Sequence, residues 1–195
     1  MKRLRRIGIF GGSFDPPHIG HLIIAELVRQ QLALDRIVFV PAFAPPHKEG
    51  NHASTALDRL RMTRLATKGN PHFSVSDLEV RREGISYTVD TLRVFRRRYP
   101  NARLYLLIGG DSLGQFWRWK SPREILALAT PAVYSRPGFE HARFPRGRPL
   151  VRIKGPLLQI SSTHIRKRIA AKQSIRYLVP DGVRTLIIRR NLYSK

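Results

Sequence analysis

The sequence predicts an α/β fold, read as one doubly wound domain with a mostly parallel sheet and helices on both faces. Short apolar runs suited to buried strands alternate with amphipathic segments along all 195 residues. Residues 6 to 40 already hold strand, helix and strand in order, a βαβ unit that implies parallel pairing. Neither an internal repeat nor a clear linker interrupts the alternation.

Arg6 to Phe10 reads as a buried strand, because Ile7, Ile9 and Phe10 are apolar and glycines follow at once. Ile19 to Leu32 reads as a helix, with Leu22, Ile23, Leu27 and Val28 at near-helical spacing. Ile37 to Val40 is the second strand, stopped by Pro41. Ala42 to Ser54 is rich in Pro, His and Gly and reads as a loop. Thr55 to Thr67 is the next helix, and Thr55 with Asp58 three residues on resembles a capping box. Phe73 to Val75 is a short strand. Thr88 to Arg98 is a helix with Val89, Leu92, Val94 and Phe95 inward and its arginines outward. Arg103 to Ile108 is a buried strand ending at Gly109-Gly110. Ala132 to Tyr134 and Val151 to Ile153 read as the last strands, and Ser162 to Ala171 and Gly182 to Arg190 as closing helices. The polar stretch Arg136 to Pro149 reads as a surface loop.

Composition narrows the function classes. The chain has no cysteine, which excludes a disulfide framework, thiolate metal ligation and a cysteine nucleophile. At 42% hydrophobic it can build a core. No apolar run approaches the ~18–20 residues that span a bilayer, so no membrane partner is expected. The basic start, Met1 to Arg6, is followed by only a short apolar run before Gly11-Gly12, so a signal peptide is rejected and a cytoplasmic protein expected. Lys and Arg number 36 against 13 Asp and Glu, a formal charge of +23. That excess first points to nucleic acid. Yet 28 of the cations are arginines in short clusters over the whole chain, such as Arg96-Arg97-Arg98, with no basic tail. The excess is read as a property of the surface, mostly arginine on helix faces, that aids encounter with anionic substrates.

The segment Gly11-Gly12-Ser13-Phe14-Asp15-Pro16-Pro17-His18-Ile19-Gly20-His21 carries the strongest chemical signal. The glycines let backbone approach a ligand without a side chain in the way. The helix that follows offers free N–H groups and a positive dipole end. His18 and His21 share a face of its first turn, with Gly20 leaving space between them, and are placed to donate hydrogen bonds to phosphate oxygens. A plain strand-to-helix turn with two surface histidines is the bland alternative. A metal site built on the two histidines finds only Asp15 as a nearby third ligand. A second segment, Ile160-Ser161-Ser162-Thr163-His164-Ile165-Arg166, brings hydroxyls, free N–H groups and a guanidinium to a helix start. Ser162 or Thr163 is expected to cap that helix. Phosphate binding is one reading; an ordinary capped basic helix is the other. Asp111 follows a strand at its carboxyl end, where doubly wound sheets place ligands and where a carboxylate suits ribose hydroxyls; a helix N-cap before Ser112 is its structural alternative.

These motifs resemble the nucleotidyltransferase superfamily that carries an HxGH motif, with a Rossmann-like fold. Over essentially the whole chain the sequence is similar to bacterial nicotinate mononucleotide adenylyltransferases. The resemblance rests on residues 11–21 and 160–166, on the Pro-rich Pro41 to Lys48, on Ser86-Tyr87-Thr88-Val89-Asp90-Thr91-Leu92, and on Ile108-Gly109-Gly110-Asp111-Ser112-Leu113. The aromatic cluster Phe116, Trp117 and Trp119 and the segment Ser135-Arg136-Pro137-Gly138 complete it.

The resemblance implies a single nucleotidyltransferase domain over residues 1–195, with the closing helices 162–191 part of it. It implies a step of NAD biosynthesis: ATP and nicotinate mononucleotide give nicotinate adenine dinucleotide and pyrophosphate, with Mg²⁺ carried on ATP and no metal held by protein side chains. His18 and His21 then contact the ATP phosphates, and Lys48 and Arg166 hold the phosphates that leave. Gly11, Gly12, Ser13 and Phe14 line the phosphate region through backbone groups, beside Ser162, Thr163 and Asp111. Thr88, Trp119 and Arg136 serve the mononucleotide, with Trp117 a rival to Trp119 for stacking on the pyridine. Nicotinamide mononucleotide and phosphopantetheine are the alternative substrates, and a basic nucleic-acid-binding protein is the distant alternative. No specific nucleic-acid partner is expected, and assembly into a homo-oligomer is left open.

Overall fold

The computed structural model describes residues 4–46, 53–135, 138, 144 and 149–194. Lys48, Arg136, His47, His52 and His141 lie outside the described residues. The chain runs through strand β1 (Arg6–Gly12), helix α1 (Ile19–Gln31), β2 (Arg36–Pro41), α2 (Ala56–Thr67) and β3 (Phe73–Val75). It continues through α3 (Leu78–Arg82), α4 (Thr88–Arg98), β4 (Arg103–Gly109) and α5 (Gly110–Leu113). A single 3₁₀ turn at Phe116–Arg118 precedes α6 (Pro122–Leu128), β5 (Thr130–Tyr134), β6 (Val151–Ile153), α7 (Ser162–Ala170) and α8 (Asp181–Arg189).

The sheet has six strands in the order β3-β2-β1-β4-β5-β6, and every neighbouring pair is parallel. The order reverses between β1 and β4, so the loops at their carboxyl ends part and leave a crevice. Alternation along each strand separates two cores. Ile7, Ile9, Val38, Val40, Leu104, Leu106 and Ile108 point to one face, where Val89, Leu92 and Phe95 of α4 and Ile125 of α6 cover them. Ile37, Phe39, Tyr105 and Leu107 point to the other, against Ile24, Ala25 and Val28 of α1. A third cluster joins Met62 and Ala66 of α2 to Ile165 of α7, Val183 and Ile187 of α8, and Tyr193.

The expected strands and long helices are present, within two residues at each end. Four short elements were not expected: α3, α5, the 3₁₀ turn and α6. They run three to seven residues, too short for a helical period to show. Of these, α6 carries a start signal in Pro122 of its first turn, and α5 lies where the sequence allows an N-cap at Asp111. Thr55 caps α2 as expected, its hydroxyl accepting the Asp58 N–H.

The arginines need a correction. They are not all surface charge. Arg59 is wholly buried. Arg96, expected to point outward, donates to the carbonyls of Ala102 and Leu128 and so ties the end of α4 to the end of α6. Arg6 donates to the Tyr105 hydroxyl. Among the described residues, no helix is long and apolar enough to cross a membrane.

Candidate active site

A cavity of about 750 Å³ opens at the parting of β1 and β4. All the sequence-predicted site residues that the structure describes line it: Gly11, Gly12, Ser13, Phe14, His18, His21, Thr88, Asp111, Trp119, Ser162, Thr163 and Arg166. They come from five separate stretches, so the sheet topology is what assembles them.

The histidine pair is built by local sequence. His18 precedes α1 and His21 closes its first turn. The His18 backbone N–H donates to His21 Nδ1 at 3.1 Å, which puts the proton of a neutral His21 ring on Nε2. The two rings stack with centroids 3.7 Å apart, and both are buried. Gly20 makes the stack possible: a Cβ there would lie 3.0 Å from His18 Nδ1 and 3.2 Å from its Cε1. Phe14 takes a left-handed φ of 49° and turns its ring inward, 5.1 Å from the His21 ring and against Phe10 and Phe39. A Cβ on Gly11 would meet nothing within 4 Å, so the bare backbone there borders open space.

The second motif docks onto the first. Ser161, and not Ser162 or Thr163, caps α7 by accepting the His164 N–H. That frees Ser162 to donate to the Pro16 carbonyl at 2.8 Å. Arg166 donates to the Asp15 carbonyl at 2.8 Å and to the Thr163 hydroxyl at 3.3 Å. Asp111 is not an N-cap; α5 begins one residue earlier, after Gly109.

Asp15, the one nearby residue that a metal site on the two histidines could have used, is occupied otherwise. Its buried carboxylate accepts from the Ser54 hydroxyl (2.5 Å), the Tyr193 hydroxyl (2.7 Å) and the Ala53 N–H (3.0 Å). Burial above all pushes the Tyr193 phenol up from its ordinary value, and the Asp15 charge adds to that. Among the described residues no group of three or more His, Asp or Glu has the arrangement of a metal site.

Sequence reasoning missed several residues here. Arg59 on α2 donates to the carbonyls of Ser13 (3.0 Å), Ala42 (2.5 Å) and Phe43 (2.9 Å), joining the loops that leave β1 and β2. Burial lowers its pKa, against the pull of Asp15. Glu79 lines the cavity and accepts from Thr91 Oγ1 at 2.5 Å. Burial pushes the Glu79 carboxyl up, against hydrogen bonds with Thr91 and Ser86. Ser86 accepts the Phe43 N–H, and its own N–H donates to the Ala44 carbonyl, so the loop after β2 is zipped to the approach to α4. Lys120 and Arg118 also line the cavity. The one available signal for Arg59 was its place on the α2 face that carries Met62, Thr63 and Ala66, all buried. Trp119 borders the cavity, whereas Trp117 is not among its lining residues and stacks on Phe144.

A parallel sheet with this strand order carries a glycine loop and paired imidazoles at its reversal point, the place where such sheets bind nucleotides and phosphate groups. The model of the cytidylyltransferase-like family matches residues 9–168. A relative from Thermomicrobium roseum named probable nicotinate-nucleotide adenylyltransferase is 45% identical, covering 97% of this chain and 92% of its own. One of the same name from Exiguobacterium sibiricum is 46% identical over 97% and 99%. The chain belongs to the cytidylyltransferase-like family and, within it, to the nicotinate-nucleotide adenylyltransferases. The fold is that of Plasmodium falciparum nicotinic acid mononucleotide adenylyltransferase solved with NaAD: TM-score 0.79 at 21% identity, covering 97% of each chain. The same enzyme solved with APC gives a TM-score of 0.77 at 21% identity, again over 97% of each chain.

Two outcomes follow from this geometry. Gly20→Ala crowds the His18 ring, which must give by a few tenths of an ångström, while leaving the cores intact; turnover should fall roughly 10- to 100-fold with little change in Tm. Glu79 has a folded pKa above its ordinary 4.5, so its stabilising contribution is full below that value and is lost as pH rises through the folded pKa. Glu79→Gln removes that loss, so melting curves between about pH 5 and pH 8 should show the variant gaining on the parent as pH rises.

Proposed function

We propose that this chain joins ATP and nicotinate mononucleotide to give nicotinate adenine dinucleotide and pyrophosphate, as a step of NAD biosynthesis. The observation that carries the reading is the single cavity in which two buried imidazoles, the Arg166 guanidinium and the bare β1 loop meet Thr88 and Trp119. A triphosphate needs the first set and a pyridine ring the second.

The 5′-phosphate of the mononucleotide attacks the α-phosphorus of ATP. A new P–O bond forms there and the bond to the β-phosphate oxygen breaks. The attacking phosphate is already ionised at neutral pH, so no general base is needed; the work is alignment and neutralisation of charge. His21 Nε2–H and His18 donate to the phosphate oxygens, and Gly11, Gly12, Ser13 and Phe14 border the phosphates with backbone. Lys48 and Arg166 hold the departing pyrophosphate, with Ser162 and Thr163 beside them. Asp111 accepts from ribose hydroxyls. Trp119 stacks on the pyridine, the Thr88 hydroxyl and nearby N–H groups donate to its carboxylate, and Arg136 serves the mononucleotide phosphate. Mg²⁺ enters on the ATP oxygens and supplies further neutralisation of their charge.

Residues 1–195 act as one domain, with helices 162–191 inside it, in the cytoplasm. The docking of Ser162 and Arg166 on the Asp15-Pro16 segment supports that unity. The partners are the two nucleotides, with no specific nucleic acid.

Pyrophosphate release measured with ATP and each mononucleotide tests the reading. A higher kcat/KM with nicotinate mononucleotide is expected; a higher value with the nicotinamide form overturns the choice. His21→Ala should lower turnover by about 10²–10³, the effect of losing one donor to developing charge. Turnover near that of the parent would remove His21 from the reacting phosphate.

A further inference from the structure

Lys120 has no part in the scheme above, yet it follows Trp119 and lines the cavity with Tyr87 and Thr88. Its ammonium lies 4.3 Å from the centroid of the Tyr87 ring and 3.2 Å from the Asp90 carboxylate. Asp90 sits in the first turn of α4, which Thr88 begins. The lysine borders the cavity, and the carboxylate it pairs with is not among the lining residues. Asp90 also accepts from Arg93 at 2.7 Å, and Arg93 is held by Glu124 at 2.6 Å. These four groups carry two charges of each sign and sum to zero. Without Lys120 the set has a net negative charge, and its Asp90 lies two residues from Thr88 in the same turn of α4.

That sign matters for one comparison. A nicotinate ring carries a carboxylate and a nicotinamide ring a neutral carboxamide; the two are otherwise closely alike in shape. The net negative charge that the set would carry without Lys120 opposes the first and is indifferent to the second. We propose that Lys120 is a specificity-determining residue: by neutralising Asp90 it lets the start of α4 receive an anionic pyridine substituent, and so sets the preference for nicotinate over nicotinamide mononucleotide. This rests on the proposed docking of the pyridine carboxylate at Thr88. The lysine's contact with Tyr87 also joins the two sides of the pyridine slot, residues 87–90 and 119–120. A purely mechanical clasp of that kind would affect both mononucleotides alike.

The test measures kcat/KM for both mononucleotides in the parent, Lys120→Met, Asp90→Asn and the double variant. The parent must first release pyrophosphate with ATP and a pyridine mononucleotide; if it does not, the functional reading fails and not the role of Lys120. In Lys120→Met the nicotinate-to-nicotinamide ratio should fall about two- to fivefold, the size expected of a half-exposed charge, and the drop should shrink as salt rises. The double variant should return the ratio towards the parent's. Lys120 is exposed and Asp90 half-buried outside the hydrophobic cores, so the variants are expected to keep the fold, and matching melting curves verify it. Equal losses on both mononucleotides, or a ratio that the double variant does not restore, would overturn the proposal.

Discussion

The arrangement of the site depends on the buried guanidinium of Arg59. A charge cut off from water must be met by acceptors, and leaving one unmet is costly. Arg59 meets the carbonyls of Ser13, Ala42 and Phe43, which belong to the loops after β1 and β2. The spacing of those loops is therefore set by the reach of one planar group. Asp15 supplies the nearby opposite charge and holds Ser54 and Tyr193. The backbone carbonyls of Asp15 and Pro16 then receive Arg166 and Ser162 from α7. Residues 146 and 151 positions apart in the sequence thus share one rigid support.

Much of this was legible in the sequence. Strands such as Arg103–Gly109 announce themselves because buried parallel strands are continuous apolar runs. The His18-Ile19-Gly20-His21 geometry could be anticipated because it is local: three residues on one helical turn, with the small one between. What escaped has a common physical form. Arg59, Glu79 and Tyr193 are polar residues whose partners lie far along the chain, 12 to 178 positions away. A helix face that carries a buried arginine looks, to a hydrophobicity pattern, like a solvated one. The capping of α7 by Ser161 escaped for a smaller reason: three hydroxyl residues stand in a row, and only the docking of Ser162 on Pro16 selects the first of them as cap.

The large positive charge also divides once contacts are known. Arg96 acts as a tie between backbone carbonyls, and Arg59 as a spacer of loops. Arg29, Arg61, Arg64, Arg81, Arg93, Arg184 and Arg190 pair with carboxylates. Arginine suits these tasks because its fork serves several acceptors at once and stays charged when buried. Its abundance therefore reflects internal architecture as well as the outer surface, and net charge alone is a poor guide to partners.

The bond between Tyr193 and Asp15 spans 178 residues. Ribosomal synthesis proceeds from the amino end, so the glycine loop and both histidines are made first, and the hydroxyl that fastens Asp15 follows 178 residues after its acceptor. The glycine loop of a nascent chain lacks that fastening until Tyr193 has been made and has folded back onto Asp15. Fastening of that loop is thereby a late event of synthesis, set by the distance along the chain between the two partners.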